Sequence, residues 1–292
     1  MPSPRYYSPL RYPGGKAKLA EYVKAIIVSN GLENGCYVEP YAGGAAVALE
    51  LLLLGNVSSI CVNDLNASVY AFWSSVLNQT DALCERILNV PLSMKTWHQQ
   101  KAIHDAPSMQ EELDLGFAAF FLNRCNRSGI IGGGVIGGKN QAGKWKLDAR
   151  FNREVLVHRI QKIASFKDRI FLTNLDTVEF LKTRKWRIPH RSLVYLDPPY
   201  FVKGKRLYDS FYSYEDHAAV AKAVMKLKGV NWLVSYDDVP AIRDLYQGVR
   251  NIRYALSYSA KDRYKGSEVM FFSDNLEIPP LPSKSSVQLL AS

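Results

Sequence analysis

Four short stretches of this chain combine acids with the turn-forming residues that a ligand corner needs. The sharpest is LVYLDPPYF, residues 193–201. An apolar run of strand type ends in one acid, two prolines and two aromatic rings. Proline lacks an amide hydrogen and fixes φ, so Asp197 is pushed toward an extended conformation and Pro199 cannot continue a ladder. A stiff turn at the carboxyl end of a strand results, and in open α/β sheets that edge is where ligands sit. A strand cap followed by a surface turn would use the same residues.

The second stretch is Glu39-Pro40-Tyr41-Ala42-Gly43-Gly44-Ala45, after one strand and opening a helix. Small residues let backbone approach a ligand, and a helix N-terminus supplies unpaired amide donors. The spacing is not G-x-G-x-x-G, and no Walker A loop occurs. A carboxylate at Glu39 would repel phosphate, so the turn better suits a cationic or amine-bearing ligand. The third and fourth stretches are Asn63-Asp64-Leu65-Asn66 and Thr173-Asn174-Leu175-Asp176. An acid at such a strand end can grip two ribose hydroxyls, but Asp and Asn are also good helix caps.

The elements that position these residues are set by hydrophobic period and punctuation. From Cys36 the order is strand (CYVE), turn, helix (AAVALELLLLG), strand (SSICVND) and helix (NASVYAFWSSVLN). Residues 80–120 have helical spacing and few strand signals, predicting two or three helices. Residues 129–143, GIIGGGVIGGKNQAG, hold seven glycines in fifteen positions, and such a loop is expected to be mobile until something binds it. The α/β pattern then returns: helix 152–165, strand 169–172, helix 176–182, strand 193–196, a helix near 215–228, strand 231–235, helix 238–246, and strands near 249–257 and 268–273. After Asn275 the chain reads as a loosely attached extension. The fold class is α/β, with residues 1–78 and 151–277 forming a discontinuous domain, residues 79–150 a helical, basic insertion, and residues 278–292 a tail.

The 292 residues are enough for a sizeable core, and 47% hydrophobic with 22% charged residues is the balance of a soluble globular protein. No apolar run reaches 18 residues; Ala42–Leu54 is the longest candidate and contains Glu50. The opening MPSPRYYSPLRYPGGK lacks a signal-peptide core. A cytoplasmic protein with no membrane segment is expected. Four cysteines, spread singly, suit reduced thiols, and the five histidines form no metal-ligand pattern. His104, His158 and His217 are assigned no role. The net charge of +10 is concentrated: residues 121–170 carry eleven Lys/Arg against three Asp/Glu. That is the electrostatic footprint of a polyanion partner.

Taken together, a glycine turn, strand-end acids and an Asp-Pro-Pro-Tyr corner are similar to a nucleoside-binding amino-group methyltransferase. Arg11-Tyr12-Pro13-Gly14-Gly15-Lys16, then EPYAGG, VNDLN, an insertion and DPPY resemble, in order, the Dam-type family of N6-adenine DNA methyltransferases. Residues 121–129, FLNRCNRSG, are similar to that family's LNR segment, and Lys265-Gly266-Ser267-Glu268-Val269 to its closing segment. The resemblance spans about residues 8–275. It implies a Rossmann-like S-adenosylmethionine-dependent methyltransferase sheet, an inserted target-recognition domain, and double-stranded DNA as substrate.

Carried over residue by residue, Tyr12 and Lys16 would help hold the methionine end of the cofactor. Glu39, Tyr41 and Gly43 would line its pocket, Asp64 would take the ribose hydroxyls and Asp176 the adenine amine. Gly43-Gly44-Ala45 departs from the G-x-G alternation of many relatives; its methyl should be tolerated if the turn shifts by one. Asp197 and the Pro198 carbonyl would accept the two hydrogens of a target amine, turning its delocalised lone pair toward the methyl donor, and Asp197 also borders the cofactor. Tyr200 would offer a face to the flipped base, and Phe201 would pack behind it. Transfer would be direct, with no metal. Arg124, Arg127, Lys139, Lys144, Lys146 and Arg150 are candidates for phosphate or base contacts, and Lys203, Lys205 and Arg206 for the flipped strand. Rival readings are N4-cytosine methylation, methylation of RNA or protein, and a DNA-binding protein without turnover. A monomer is expected; the recognised site and any associated restriction nuclease are left open.

Overall fold

A computed structural model describes residues 7–11, 19–183, 191–202, 212–256, 267–280 and 287–290. Among them the strands are β1 (Cys36–Glu39), β2 (Ser59–Asn63), β3 (Ile170–Thr173), β4 (Ser192–Leu196), β5 (Asn231–Asp237), β6 (Asn251–Leu256), β7 (Ser267–Phe272) and β8 (Val287–Leu289). The helices are α1 (Ala20–Ser29), α2 (Ala46–Leu53), α3 (Ala67–Asn78), α4 (Thr80–Asn89), α5 (Met94–His104), α6 (Glu112–Cys125), α7 (Arg153–Ala164), α8 (Thr177–Thr183), α9 (Tyr214–Met225) and α10 (Pro240–Leu245). The expected elements are present with small shifts at their ends. Two compact units result: Met1–Gly14 with Asp64–Asn174, and Gly15–Asn63 with Leu175–Ser292.

The second unit is a sheet ordered β2-β1-β4-β5-β7-β6-β8. Its first four strands are parallel, and β7 runs antiparallel between β5 and β6. It is the Rossmann-like α/β arrangement expected. Strands β1, β2 and β4 are buried along their whole length, as strands covered on both faces must be. The period of two then sorts their residues. Val38, Val194, Leu196, Val234, Tyr236 and Phe271 pack in one cluster with Phe180 and Leu181 of α8, Val220 and Val224 of α9, and Ile242 of α10. Alternating with them are Tyr37 and Glu39 on β1, Tyr195 on β4 and Asp197 just past its end, Ser235 and Asp237 on β5, and Glu268 on β7. A polar line therefore crosses the strand ends.

The chain after Asn275 is more firmly held than the sequence suggests. Asn30, just past α1, accepts from Glu277 N at 2.7 Å and donates to Glu277 O at 2.9 Å, and Arg250 donates to the carbonyls of Ser273 and Leu276, each at 2.6 Å. Beyond it, β8 pairs antiparallel with β6. The tail satisfies backbone groups that an edge strand would otherwise leave to water.

In the first unit α3 packs on α6, with the Phe72 and Phe120 rings stacked at 5.7 Å. A Cβ at Gly116 would lie 2.5 Å from Ala71 O, so only glycine permits this helix approach. Phe151 closes on Phe120 and Phe121. Thus α3 and the stretch after 150, grouped by the sequence with the catalytic segments, pack here with helices of the insertion. The glycine loop is also built rather than loose. Asn126 donates to the carbonyls of Ile130 and Ile131 and accepts from Trp97 Nε1 at 2.7 Å. Gln141 donates to Ile136 O and Gly138 O and accepts from Leu147 N. Two amide side chains add to the backbone bonds from Arg127 N to Gly134 O and from Ile136 N to Cys125 O.

Candidate active site

The apolar run of β4 stops at Asp197, and neighbouring strands hold both the acid and its turn. The parallel register sets Leu196 beside Val234, so the next step brings Asp197 to Ser235. Ser235 Oγ donates to Asp197 Oδ1 at 2.8 Å, and the Tyr195 hydroxyl is 2.9 Å from Ser235 Oγ. A serine hydroxyl has one proton; with that proton on Asp197, Tyr195 is the donor to Ser235. The result is a directed chain that orients the carboxylate.

The turn itself is strapped to β5. Asp237 Oδ1 accepts from Phe201 N at 2.9 Å and its Oδ2 from Val202 N at 3.0 Å. Tyr200 is buried, and its hydroxyl donates to Glu268 Oε1 at 2.8 Å, while Tyr254 donates to Oε2 at 2.8 Å. Pro198 is buried between these supports. Replacing Asp237 by Asn puts an amide NH₂ against one of two backbone N–H donors. A loss of about 1–3 kcal/mol is expected, measured by chemical denaturation; an unchanged denaturation midpoint would contradict the strap.

Sequence reasoning missed Ser235, Asp237, Glu268 and Tyr254 as parts of this corner. A signal existed for Asp237, since the acid after NWLVSY repeats the pattern of the acid after LVYL. Glu268 was visible within the closing segment, but its partners belong to distant strands.

At the glycine turn, Glu39 faces inward. Its Oε1 accepts from the Tyr37 hydroxyl at 3.1 Å and from Ala48 N, in the first turn of α2, at 3.2 Å. Burial pushes its carboxyl up to about 8; the bonds from Tyr37 and Ala48 oppose this and the charge of Asp197 adds to it. Gly43 and Ala45 both have positive φ, 46° and 47°. The departure at Ala45 is therefore absorbed by holding an alanine in the left-handed region, at a cost of about 1 kcal/mol. Tyr41 is half-buried and accepts from the Tyr212 hydroxyl at 3.3 Å. Asn63 donates to Pro40 O and Leu175 O and accepts from Leu175 N. It stitches the glycine turn to the segment carrying Asp176. Asp176 is exposed and accepts from Val178 N at 2.8 Å and Glu179 N at 3.3 Å, so it caps α8. His217 is fully buried among Phe201, Tyr212 and Tyr236; burial lowers its pKa, and it packs behind the corner.

In the first unit, Asn66 caps α3 by accepting from Ser68 N and Val69 N. Asp64 is not the cap; its Oδ1 accepts from Asn66 N at 2.9 Å. Arg127, Lys139, Lys144, Lys146 and Arg150 are exposed, and Lys144 lies over the exposed Trp145 ring at 5.9 Å. Arg124 differs. It donates to Arg150 O and, at 3.3 Å, to Pro9 O; burial and the neighbouring Arg11, Arg159 and Arg150 push its pKa down. Its guanidinium is turned onto the protein's own backbone. Tyr12, Lys16, Lys203, Lys205 and Arg206 lie outside the described residues.

The four cysteines are buried thiols. Among the described residues no group of three His, Cys, Asp or Glu is arranged to hold a metal, and no helix is long and apolar enough to cross a membrane.

A family model described as D12 class N6 adenine-specific DNA methyltransferase matches residues 12–260. No curated protein matches the sequence. Similar solved structures include the rRNA methyltransferase aviRa from Streptomyces viridochromogenes (12% identity, 90% of this chain and 87% of that chain covered, TM-score 0.40). Others are a SAM-dependent methyltransferase from Agrobacterium tumefaciens (9%, 88% and 62%, 0.36) and SMU.472, solved as a complex with SAH (13%, 92% and 54%, 0.40).

Proposed function

The chain belongs to the D12 class of N6 adenine-specific DNA methyltransferases, and from there we propose which residues hold the donor, the adenine and the duplex. S-adenosylmethionine, when bound, supplies a methyl group activated by a positively charged sulfur. The glycine turn fits such a cation: Glu39 is buried, and among the described residues the groups that shift its ionisation are Tyr37, Ala48 and Asp197, none of them cationic. Glu39, Tyr41 and Gly43 are assigned to the donor, with Tyr12 and Lys16 at its methionine end. Asp64 takes the ribose hydroxyls and Asp176 the adenine amine. Asp176 keeps this role while capping α8, because a carboxylate has acceptor sites on both oxygens.

The adenine amine meets Asp197 and the Pro198 carbonyl. Each accepts one hydrogen, which turns the nitrogen lone pair out of the ring. Acceptors held rigid before reaction lose nothing to reorganisation during it, and here Ser235, Tyr195 and Asp237 supply the rigidity. Tyr200, anchored through Glu268, faces the base. An adenine inside a duplex cannot reach this corner, so it is extruded, at a cost of roughly a few kcal/mol. Residues 79–150 are the target-recognition insertion, with Arg127, Lys139, Lys144, Lys146 and Arg150 meeting phosphates or base edges. Lys203 and Lys205 are assigned to the flipped strand. The enzyme acts as a monomer in the cytoplasm.

The Tyr195–Ser235–Asp197 chain is the observation that carries this assignment. Its test is incubation with mixed-sequence duplex DNA and labelled S-adenosylmethionine, followed by nucleoside analysis. Label is expected in N6-methyladenine. Label in N4-methylcytosine would move the reaction to another amine, and absence of label despite donor and DNA binding would identify a binding protein without turnover.

A further inference from the structure

The first turn of α9 is fastened through both its backbone and its side chains. The Ser213 hydroxyl accepts from Asp216 N at 3.2 Å, and Asp216 Oδ2 accepts from Ser213 N at 2.8 Å. Such a reciprocal cap is often flanked by an apolar pair, one residue before the cap and one four residues after it. That pair fixes the angle at which the chain enters the helix. Here it is Tyr212 and His217, with ring centroids 5.4 Å apart. An imidazole is a costly choice for the place. His217 is fully buried, and its Nε2 has no hydrogen-bond partner among the described residues, a penalty that leucine or phenylalanine would avoid.

The contacts of the imidazole account for the choice. Nδ1 lies 3.1 Å from the Tyr236 hydroxyl on β5, and Tyr236 directly precedes Asp237, whose two oxygens hold Phe201 N and Val202 N. The same ring packs on Phe201, with centroids 5.4 Å apart, and Phe201 follows Asp-Pro-Pro-Tyr without a break. Tyr212 in turn donates to the Tyr41 hydroxyl at 3.3 Å, and Tyr41 belongs to the glycine turn after β1. Tyr41, Phe201 and Tyr212 all pack on the core cluster that contains Tyr236 and Tyr246. His217 therefore joins the glycine turn to the Asp197 corner. Every member of this set lies in the unit formed by Gly15–Asn63 and Leu175–Ser292.

We propose that His217 is a positioning residue for methyl transfer: by bracing Phe201 and Tyr212 against Tyr236, it fixes the separation between the amine at Asp197 and the donor at Tyr41. Direct transfer needs the nitrogen about 3–3.5 Å from the methyl carbon and aligned with the bond that breaks. A misplacement of about 1 Å can cost about 10²-fold in rate, so one brace shared by both pockets has a large effect without touching either substrate. The inference rests on the assignment of Tyr41 to the donor and of Asp197 to the amine.

The test is the single-turnover rate constant for transfer from saturating labelled S-adenosylmethionine to mixed-sequence duplex DNA, measured beside the Kd for each. His217→Asn keeps a polar group toward Tyr236 but removes the ring, and its rate constant is expected to fall about 10²-fold. His217→Phe restores a ring without the bond to Tyr236 and is expected to recover about tenfold of that loss. Tyr236→Phe leaves every ring in place, and about a tenfold loss is expected. In all of them the Kd for donor and duplex is expected to stay within about threefold of wild type, since alignment is lost rather than contact. A merely structural residue would lower the melting temperature and the active fraction, but not the rate constant of the molecules that remain folded. Should His217→Asn lack a cooperative thermal transition, His217→Phe and Tyr236→Phe carry the test. Folded variants with wild-type rate constants would overturn the proposal, as would variants whose deficit is confined to a raised donor Kd. A wild type that puts no label into N6-methyladenine, or Tyr41→Ala with a wild-type donor Kd, would instead overturn the assignments beneath it.

Discussion

Asp197→Asn is expected to slow single-turnover methyl transfer by about 10²–10³-fold while leaving the fold intact. The substitution preserves volume, and an amide oxygen can still accept from Ser235 Oγ, which stands 2.8 Å from Asp197 Oδ1. It replaces the other carboxylate oxygen by an NH₂, a donor facing a donor when an amine is presented. The target nitrogen then lacks one of two fixed acceptors and keeps its lone pair in the ring. Rate should fall far more than binding, since the lost interaction strengthens as the nitrogen becomes tetrahedral. The check is a single-turnover rate measured beside the dissociation constants for donor and duplex. A rate within threefold of wild type would remove Asp197 from the reaction.

Glu39→Gln is expected to change the pH dependence of both stability and donor binding. Burial holds the Glu39 carboxyl near about 8 against an ordinary 4.5. The unfolded chain therefore sheds this proton at lower pH than the folded chain does. The carboxyl's contribution to stability is fully present below about pH 4.5 and is lost as the pH rises through about 8. At about 1.4 kcal/mol for each pH unit, the loss across that window is at most about 5 kcal/mol. Glutamine does not titrate and can still accept from Tyr37 and Ala48. The variant should thus melt progressively higher than wild type, without donor, between pH 5 and pH 8. Donor binding should run the other way. A cation beside Glu39 favours the ionised carboxylate, so wild-type affinity rises from pH 6 to pH 8 with release of a proton, and the variant stays flat and binds more weakly at pH 8. Melting curves over pH, and titrations in two buffers of different ionisation enthalpy, would test this. Parallel melting profiles for the two proteins would show that Glu39 is ionised in the folded chain without any donor.

Much of the architecture was legible because its causes are local. The branched and aromatic runs at Cys36, Ser59, Ser192 and Asn231 became parallel strands, and the Asp-Pro-Pro corner stands at a strand end because proline cannot continue a ladder. Asp176 and Asn66 settled as helix caps by the ordinary chemistry of short polar side chains. The glycine loop misled for an equally local reason. Glycine content predicts the entropy lost on ordering but not the bonds that repay it, and those come from Asn126 and Gln141. Nor does a positive charge in a basic segment say which carbonyls it will find, and Arg124 finds those of Arg150 and Pro9.

Residue type and order by themselves determined that this chain forms an α/β sheet whose strand ends carry Glu39 and Asp197, because period, propensity and proline act within a few residues. Only the tertiary structure decided what holds those acids. Antiparallel β7 enters between β5 and β6 and brings Glu268 to Tyr200 and Tyr254. Register places Ser235 on Asp197, and Asp237 on the amides of the turn. Most of these partners are tens of residues apart along the chain, and their meeting is fixed by strand order and register, which no local pattern encodes.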